Sequence, residues 1–285
     1  MRRGAVTDFL DCRGIERPQH PSAWRFQSGL WEPCAEVPIK DRGFRYGMSV
    51  FETVAIHRGH PVFLEAHLER LARAAHAVGW GQVFVSGIPG ECVKNRGATG
   101  VVRLYITAGA GSPGDPFCGS VYALFEECEV GTELAAVRAA SSRSPDLPGP
   151  GGWKTGNYWQ NVNALAEARA LGVGVVLLFN PSGCLVCAGM ANVFLEVGGG
   201  WQTPAFEAGA RDGVVRAWVR EQMPVEEAWI GPDDVARCSA CFLSNSRIGV
   251  RAVSEIDGRP LRTDVAALQR LYRKDVLGAA AQEAS

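Results

Sequence analysis

Val50-Phe51-Glu52-Thr53-Val54-Ala55-Ile56-His57-Arg58-Gly59-His60-Pro61-Val62-Phe63-Leu64 is rich in β-branched and aromatic residues on both sides of Arg58-Gly59. It reads as two strands joined by a turn. From Leu64 the period becomes helical: Leu64, Leu68, Leu71, Ala75 and Val78 share one face, and Gly79 stands where a C-terminal cap belongs. Hairpin and helix in direct succession already imply a mixed class.

Downstream, residues 101–107 and 120–126 read as strands separated by Gly/Pro-rich turns, which suggests an antiparallel sheet. Residues 142–152, Ser-Arg-Ser-Pro-Asp-Leu-Pro-Gly-Pro-Gly-Gly, concentrate the two residue types that break regular structure, and read as a linker. Beyond it, Trp159, Val162, Leu165, Ala166 and Ala170 give an amphipathic helix ending near Gly172, then an apolar strand over 173–179 and a turn at Pro181-Ser182-Gly183. A strand over 184–197, a turn at Gly198–Gly200, helices around 212–222 and 264–281, and a strand near 240–246 complete the pattern. The class is α+β. A length of 285 residues exceeds the ~100–200 of a usual domain. The expected division is a small N-terminal domain over 1–141, an interdomain linker over 142–152 and a larger C-terminal domain over 153–285.

Acidic residues number 30 against 29 basic, a net charge of −1 that gives no electrostatic reason for nucleic acid or an anionic membrane as partner. A small molecule is the expected ligand. The N-terminus meets Asp8 and Asp11 before any apolar run of signal length develops, and no stretch approaches the ~20 apolar residues of a membrane span. A cytoplasmic setting follows as the expectation, with the cysteines reduced. Cys184/Cys187 and Cys238/Cys241 imitate a four-thiolate zinc pattern, but both pairs lie in segments that read as strands, where residues three apart project to opposite faces. No metal is expected.

The chain has four lysines against 25 arginines, and one of the four, Lys154, stands in Gly151-Gly152-Trp153-Lys154-Thr155-Gly156-Asn157-Tyr158. Arginine cannot lose its proton in a protein, whereas a desolvated lysine does so readily and can form a Schiff base with an aldehyde. A solvated loop lysine after a linker is the competing reading.

Asp41-Arg42-Gly43-Phe44-Arg45-Tyr46-Gly47-Met48-Ser49-Val50-Phe51-Glu52-Thr53 resembles the opening motif of the class IV aminotransferases. These are the fold-type-IV pyridoxal phosphate enzymes, which include branched-chain and D-amino-acid aminotransferases and aminodeoxychorismate lyase. The resemblance implies a two-domain α+β fold, with a small N-terminal α/β domain and a larger, β-barrel-like C-terminal domain with helices. It also implies pyridoxal 5'-phosphate as cofactor and a homodimer. His67-Leu68-Glu69-Arg70-Leu71 is similar to the helix whose arginine, here Arg70, binds the cofactor phosphate. Lys154-Thr155-Gly156-Asn157-Tyr158 matches the Schiff-base segment, so Lys154 would carry the cofactor as an internal aldimine and shuttle the substrate's α-proton. Tyr158 would donate to the phenolate oxygen; a core tyrosine is the alternative.

Thr203-Pro204 followed by Gly213-Val214-Val215-Arg216 resembles the helix start whose backbone N–H groups, here Val214 and Val215, bind phosphate. Ser244-Asn245-Ser246 places the Ser246 hydroxyl where the family often has a phosphate-binding threonine. Tyr46 and Arg103 are the implied substrate-binding residues, Arg103 toward a carboxylate, with an ordinary strand arginine as its alternative.

One position departs from the pattern. The family's glutamate that pairs with the pyridine nitrogen falls on Cys187 in Cys184-Leu185-Val186-Cys187-Ala188-Gly189-Met190-Ala191-Asn192. A thiol with an ordinary pKa near ~8.5 is not a ready anion at neutral pH. Burial would raise that value and a positive neighbour would lower it. The implied function is an aminotransferase-like enzyme acting on a small amino acid or amino-carboxylate. A lyase resembling aminodeoxychorismate lyase, and a relative that has lost cofactor use, are the alternatives.

Overall fold

Two sheets organise the chain in the computed structural model, which describes residues 22–83, 85, 87–90, 92, 98–131, 136–142 and 153–278. The first contains β1 (Ala23–Gln27), β2 (Leu30–Pro33), β3 (Ser49–His57), β4 (His60–Pro61), β5 (Gly100–Thr107) and β6 (Ser120–Glu127). Its order is β2-β1-β6-β5-β3-β4, and every pairing is antiparallel. The turn expected at Arg58-Gly59 is present, with φ of 51° and 82°, the left-handed pair that a tight two-residue hairpin demands.

Before β3, the short helix α1 (Arg42–Tyr46) is capped by Asp41, whose side chain accepts from Gly43 N. Arg42 is fully buried, and its guanidinium donates to the carbonyls of Ala108, Gly109, Ser112, Asp115 and Pro116. It fastens the turn after β5 to the start of β3. Helix α2 (Leu64–Ala77) follows the hairpin, and its Leu71, Ala74 and Ala75 pack with Val54, Ile56, Val102, Leu104 and Ile106. Val78, expected on that face, is 39% exposed, because the helix stops at Ala77 and Gly79 (φ 81°) turns the chain away. His67 and Ala74 take the buried positions instead.

The second sheet contains β7 (Val137–Ser142), β8 (Val175–Phe179), β9 (Leu185–Ala188), β10 (Asn192–Val197), β11 (Gly200–Pro204), β12 (Glu226–Ala228), β13 (Ala240–Asn245), β14 (Gly249–Ile256) and β15 (Arg259–Pro260). Its order is β12-β11-β10-β13-β14-β7-β8-β9, with β15 on β14. A bridge between Ala188 and Ala191 brings β9 back onto β10, so this sheet curls on itself. Sheet membership changes between β6 and β7, ahead of the stretch read as a linker, of which residues 143–152 lie outside the described residues.

The single strand expected over 184–197 is two strands, broken where Gly189 (φ 59°) reverses the chain. Helix α3 (Trp159–Ala170) forms as expected but buries a different face. Trp159 is 74% exposed and Val162 44%, while Ala164 and Ala168 pack on Val176 and Leu178. Small residues let the helix axis approach the sheet closely, and that contact outweighs the burial of larger side chains. Leu177, next along β8, alternates to the other face and joins Leu185, Val193 and Leu243 in the main core.

Helix α4 (Val214–Gln222) buries Val215, Trp218 and Val219 beside the stacked rings of Phe194 and Phe242, whose centroids are 4.5 Å apart. Helix α5 (Pro232–Arg237) precedes β13. The helix expected over 264–281 begins at Ala266 as α6 (Ala266–Leu271) and widens into a π-turn over Tyr272–Leu277. No helix among the described residues is long and apolar enough to cross a membrane.

Candidate functional site

The site forms where the segment carrying Lys154 lies along the start of β3. Phe51 N donates to Lys154 O at 2.7 Å, Gly156 N donates to Ser49 O at 2.8 Å, and Val50 bridges to Thr155. The first sheet thereby fixes the backbone of a lysine that leads into the second. Gly47 allows the approach: its φ is +66°, and a Cβ there would meet Asn157 Oδ1 at 2.2 Å. The Lys154 ammonium position lies 3.8 Å from the Phe51 ring centroid and 3.4 Å from Tyr158 Oη. Phe51 is also 5.2 Å from the Tyr158 ring and 5.3 Å from the Tyr105 ring.

Among the described residues no carboxylate pairs with Lys154. Burial, reinforced by the Arg211 charge, pushes its pKa well below that of an ordinary lysine. The amine is therefore poised to lose its proton, as a nucleophile or base requires.

A second cluster surrounds the buried carboxylate of Glu52, next to Phe51 on β3, and the charges of Glu52 and Arg70 also act on Lys154. Arg70 on α2 donates from Nε to Glu52 Oε1 at 2.5 Å and from Nη2 to Oε2 at 2.7 Å. His67 Nδ1 is 2.8 Å from the same Oε2. Burial works against the Glu52 charge, but these two partners prevail and hold its pKa down at about 2. A carboxylate only accepts, so Nδ1 of His67 carries the proton and donates. Burial lowers the pKa of His67 as well, so Nε2 is left to accept from Ser246 Oγ, 3.1 Å away. Ser246 must turn its single hydroxyl proton away from His67 in order to donate elsewhere.

Arg70 also donates from Nη1 to Asp212 O, immediately before α4. A guanidinium has five N–H groups, so those three bonds leave one free on each Nη. Helix α4 begins at Val214 with no side-chain cap, and its first N–H groups lack intrahelical partners. Gly213 is required here, because a Cβ would sit 2.0 Å from Asn192 Oδ1. The structure thus gathers Arg70, Ser246 and the Val214-Val215 backbone, which are far apart in sequence, into one donor-rich corner suited to an anion.

Cys187 on β9 packs against the cluster formed by Ala164, Ala168, Val176 and Leu178, and its Sγ lies 3.7 Å from Gly189 O. Burial pushes its pKa up to about 11, despite the opposing charge of Arg211, so it is a thiol at neutral pH. Arg211, absent from the sequence reading, donates from Nη1 to Tyr158 Oη at 3.3 Å. The two residues expected to bind substrate stand apart from these bonds. Arg103 is ion-paired through Nη1 with Glu126, which offsets its charge. Tyr46 is 41% exposed, with the Arg45 guanidinium 4.7 Å from its ring centroid.

Sequence reasoning also passed over Glu52 and His67, although a signal existed. Glu52 is the one charge within the apolar run Ser49–Ile56, and a buried charge calls for a partner. Arg211 lies in a loop with no periodicity to mark it. Among the described residues no group of three or more His, Cys, Asp or Glu side chains is placed to hold a metal.

The family model for amino-transferase class IV matches residues 49–256. Aminodeoxychorismate lyase from Bacillus subtilis (strain 168) is 24% identical over 273 residues, spanning 83% of this chain and 88% of its own. A branched-chain aminotransferase from Thermoproteus uzoniensis, solved with norvaline, superposes with a TM-score of 0.77 at 24% identity over 90% of this chain and 95% of that one. The 4-amino-4-deoxychorismate lyase from Pseudomonas aeruginosa gives 0.70 at 24% identity, covering 85% and 96%. These superpositions establish the shared fold.

Proposed function

Because the chain belongs to the class IV aminotransferase family, whose members are pyridoxal-phosphate-dependent aminotransferases and related lyases, we propose that it takes the α-proton and amino group of a small amino acid or amino-carboxylate in an aminotransferase-type reaction. The observation that carries this reading is Lys154, a half-buried amine of depressed pKa with no carboxylate partner among the described residues, held between Phe51 and Tyr158.

The residues present fit pyridoxal phosphate. Lys154 is the amine for its aldehyde carbon, Tyr158 Oη a donor for its phenolate oxygen, and the corner of Arg70, Ser246 and the α4 N-terminus a seat for its phosphate. Bound there, the cofactor would supply the electron sink that weakens the substrate's α-C–H bond. Lys154 Nζ would accept that proton and return it. Lys154 Nζ donates to Tyr158 Oη at 3.4 Å, a contact that engages one N–H of the amine and not its lone pair. The same proposal carries the homodimer and the cytoplasmic setting.

Elimination is the second reading, and Cys187 favours it. If this residue faces the pyridine nitrogen, a thiol replaces the carboxylate that would keep the ring protonated, and the ring becomes a weaker sink. Product analysis separates the two. An aminotransferase requires a 2-oxo acid acceptor to turn over, whereas a lyase releases its cleavage product without one. Neither product, with a panel of amino acids and amino-carboxylates, would overturn both readings.

Arg70→Ala is expected to weaken retention of pyridoxal 5'-phosphate by about ten- to a hundredfold, the equivalent of the ~1.5–3 kcal/mol of a charged hydrogen bond. Equilibrium dialysis against the cofactor measures it, and an unchanged Kd removes Arg70 from the phosphate site. Cys187→Glu is expected to alter the absorbance spectrum of the bound cofactor and to favour amino transfer over elimination. Identical spectra across the pH range would show that residue 187 does not touch the ring.

A further inference from the structure

The loop entering α4 holds a half-buried cation for which the site as described gives no role. Arg211 Nε is sealed from solvent with no hydrogen-bond partner, and Nη1 donates to Tyr158 Oη at 3.3 Å. That same oxygen lies 3.4 Å from Lys154 Nζ, so a phenol stands between an amine and a guanidinium. The arginine is also anchored from beneath. Asn192 Nδ2 donates to Arg211 O at 2.8 Å, and Asn192 Oδ1 closes over Gly213.

A guanidinium does not release its proton in a protein. An N–H buried without an acceptor is unfavourable unless a ligand supplies one. None of the nearby anions is free to do so. Glu52 is committed to His67 and Arg70, and Cys187 is a thiol. Arg211 is thus a fixed positive charge with an unused donor, beside the amine that defines the site.

We propose that Arg211 is a positioning residue of the cofactor site: its guanidinium holds Tyr158 Oη and offers its free Nε–H to an acceptor atom of the bound pyridine ring system, so that the ring meets a cation instead of a carboxylate. This rests on the reading of the site as a pyridoxal phosphate site. A cation beside the ring disfavours a second positive charge on the ring nitrogen, so the bound ring gives up its nitrogen-bound proton more readily than the free compound does. Tyr158, Cys187 and Glu52 act electrostatically on Arg211, and Glu52, Arg70 and Arg103 act together with it on Lys154. All of these are retained in an Arg211 variant, so the difference between parent and variant reports Arg211.

The test uses 4-deoxypyridoxine 5'-phosphate, which has the ring and phosphate but no aldehyde, so its binding is independent of Lys154 chemistry. Its near-ultraviolet absorbance is titrated with pH, free and bound to the full chain from which any cofactor has been removed, parent and variants alike. In the parent protein the protonation midpoint of the ring nitrogen is expected below that of the free compound. Arg211→Gln is expected to raise that midpoint and to weaken the Kd by about tenfold, as for a lost charged hydrogen bond. Arg211→Lys keeps the charge and is expected to keep the midpoint low, which a purely structural role would not explain.

A midpoint in the parent at or above that of the free compound overturns the proposal, even if Arg211→Gln fails to fold. So does an unchanged midpoint in a folded Arg211→Gln. Failure of the compound to bind the parent protein at all overturns the cofactor reading itself, and the role of Arg211 with it.

Discussion

Lys154→Met should be catalytically inert and, compared with the parent stripped of cofactor, more stable. The loss in kcat is expected to be at least about 10³-fold, because one group supplies both the attachment point and the proton relay. The gain in stability has a separate cause. Burial and the nearby Arg211 charge lower the pKa of Lys154 in the folded chain far below the usual 10.5, so the unfolded chain binds the proton more tightly. Stability therefore rises with pH across that interval, and at neutral pH the half-buried lysine is a liability that methionine removes. The gain in Tm should be larger at pH 7 than at pH 10, where the unfolded chain also begins to lose the proton. Borohydride reduction and peptide mapping of the parent should find the pyridoxyl group on the peptide containing Lys154. Recovery on Lys40, Lys94 or Lys274, or an active Lys154→Met protein, would exclude the assignment.

Much of this arrangement is legible in the sequence where the signal is local. The hairpin at Arg58-Gly59 follows from strand-forming residues around a turn that only left-handed backbone can close, and both residues adopt it. The helix starting at Leu64 follows from its period. The face that α3 buries was misread because periodicity scores large apolar residues, whereas close approach to β8 selected Ala164 and Ala168. The break at Gly189 was missed because a glycine within an apolar run is compatible with either a strand or a turn.

The site divides in the same way. Lys154 is marked by its rarity and its flanks, and Arg70 and Ser246 by motif. Their convergence with the α4 N-terminus depends on pairings such as Asn192 with Ser244 across β10 and β13, which no short window contains. Arg211 is set by the Asn192 contact to a loop backbone, a tertiary fact without a sequence counterpart. The charge state of Cys187 was undecidable from sequence, since burial and a positive neighbour act in opposite directions. In the folded chain burial prevails.

Glu52→Ala should destabilise the protein by about 3–5 kcal/mol, the range found when one member of a buried ion pair is removed and its partner is left uncompensated. Arg70 would lose both carboxylate contacts and His67 its acceptor, at a point where α2 is locked to β3. For a chain of this size the drop in Tm should be about 10 °C. The pH dependence identifies the cause. Both Glu52 and His67 have folded-state pKa values below their ordinary ones, so the unfolded state binds more protons and stability falls as the medium is acidified. The decline should begin below the ordinary histidine value of 6.5 and continue through the window from 4.5 down to about 2, where Glu52 is titrated. Urea unfolding as a function of pH should show both parts in the parent, and the lower one should shrink in Glu52→Gln, which keeps the shape without the charge, leaving what Asp234, also lowered, contributes. Arg70 in that variant is no longer held by a charged fork. Its free N–H groups are then less well aimed at the α4 corner, and cofactor retention should fall with stability. If the acid limb persists unchanged in Glu52→Gln, another carboxylate governs it, and the Arg70–Glu52–His67–Ser246 chain is not what ties the anion corner to the first sheet.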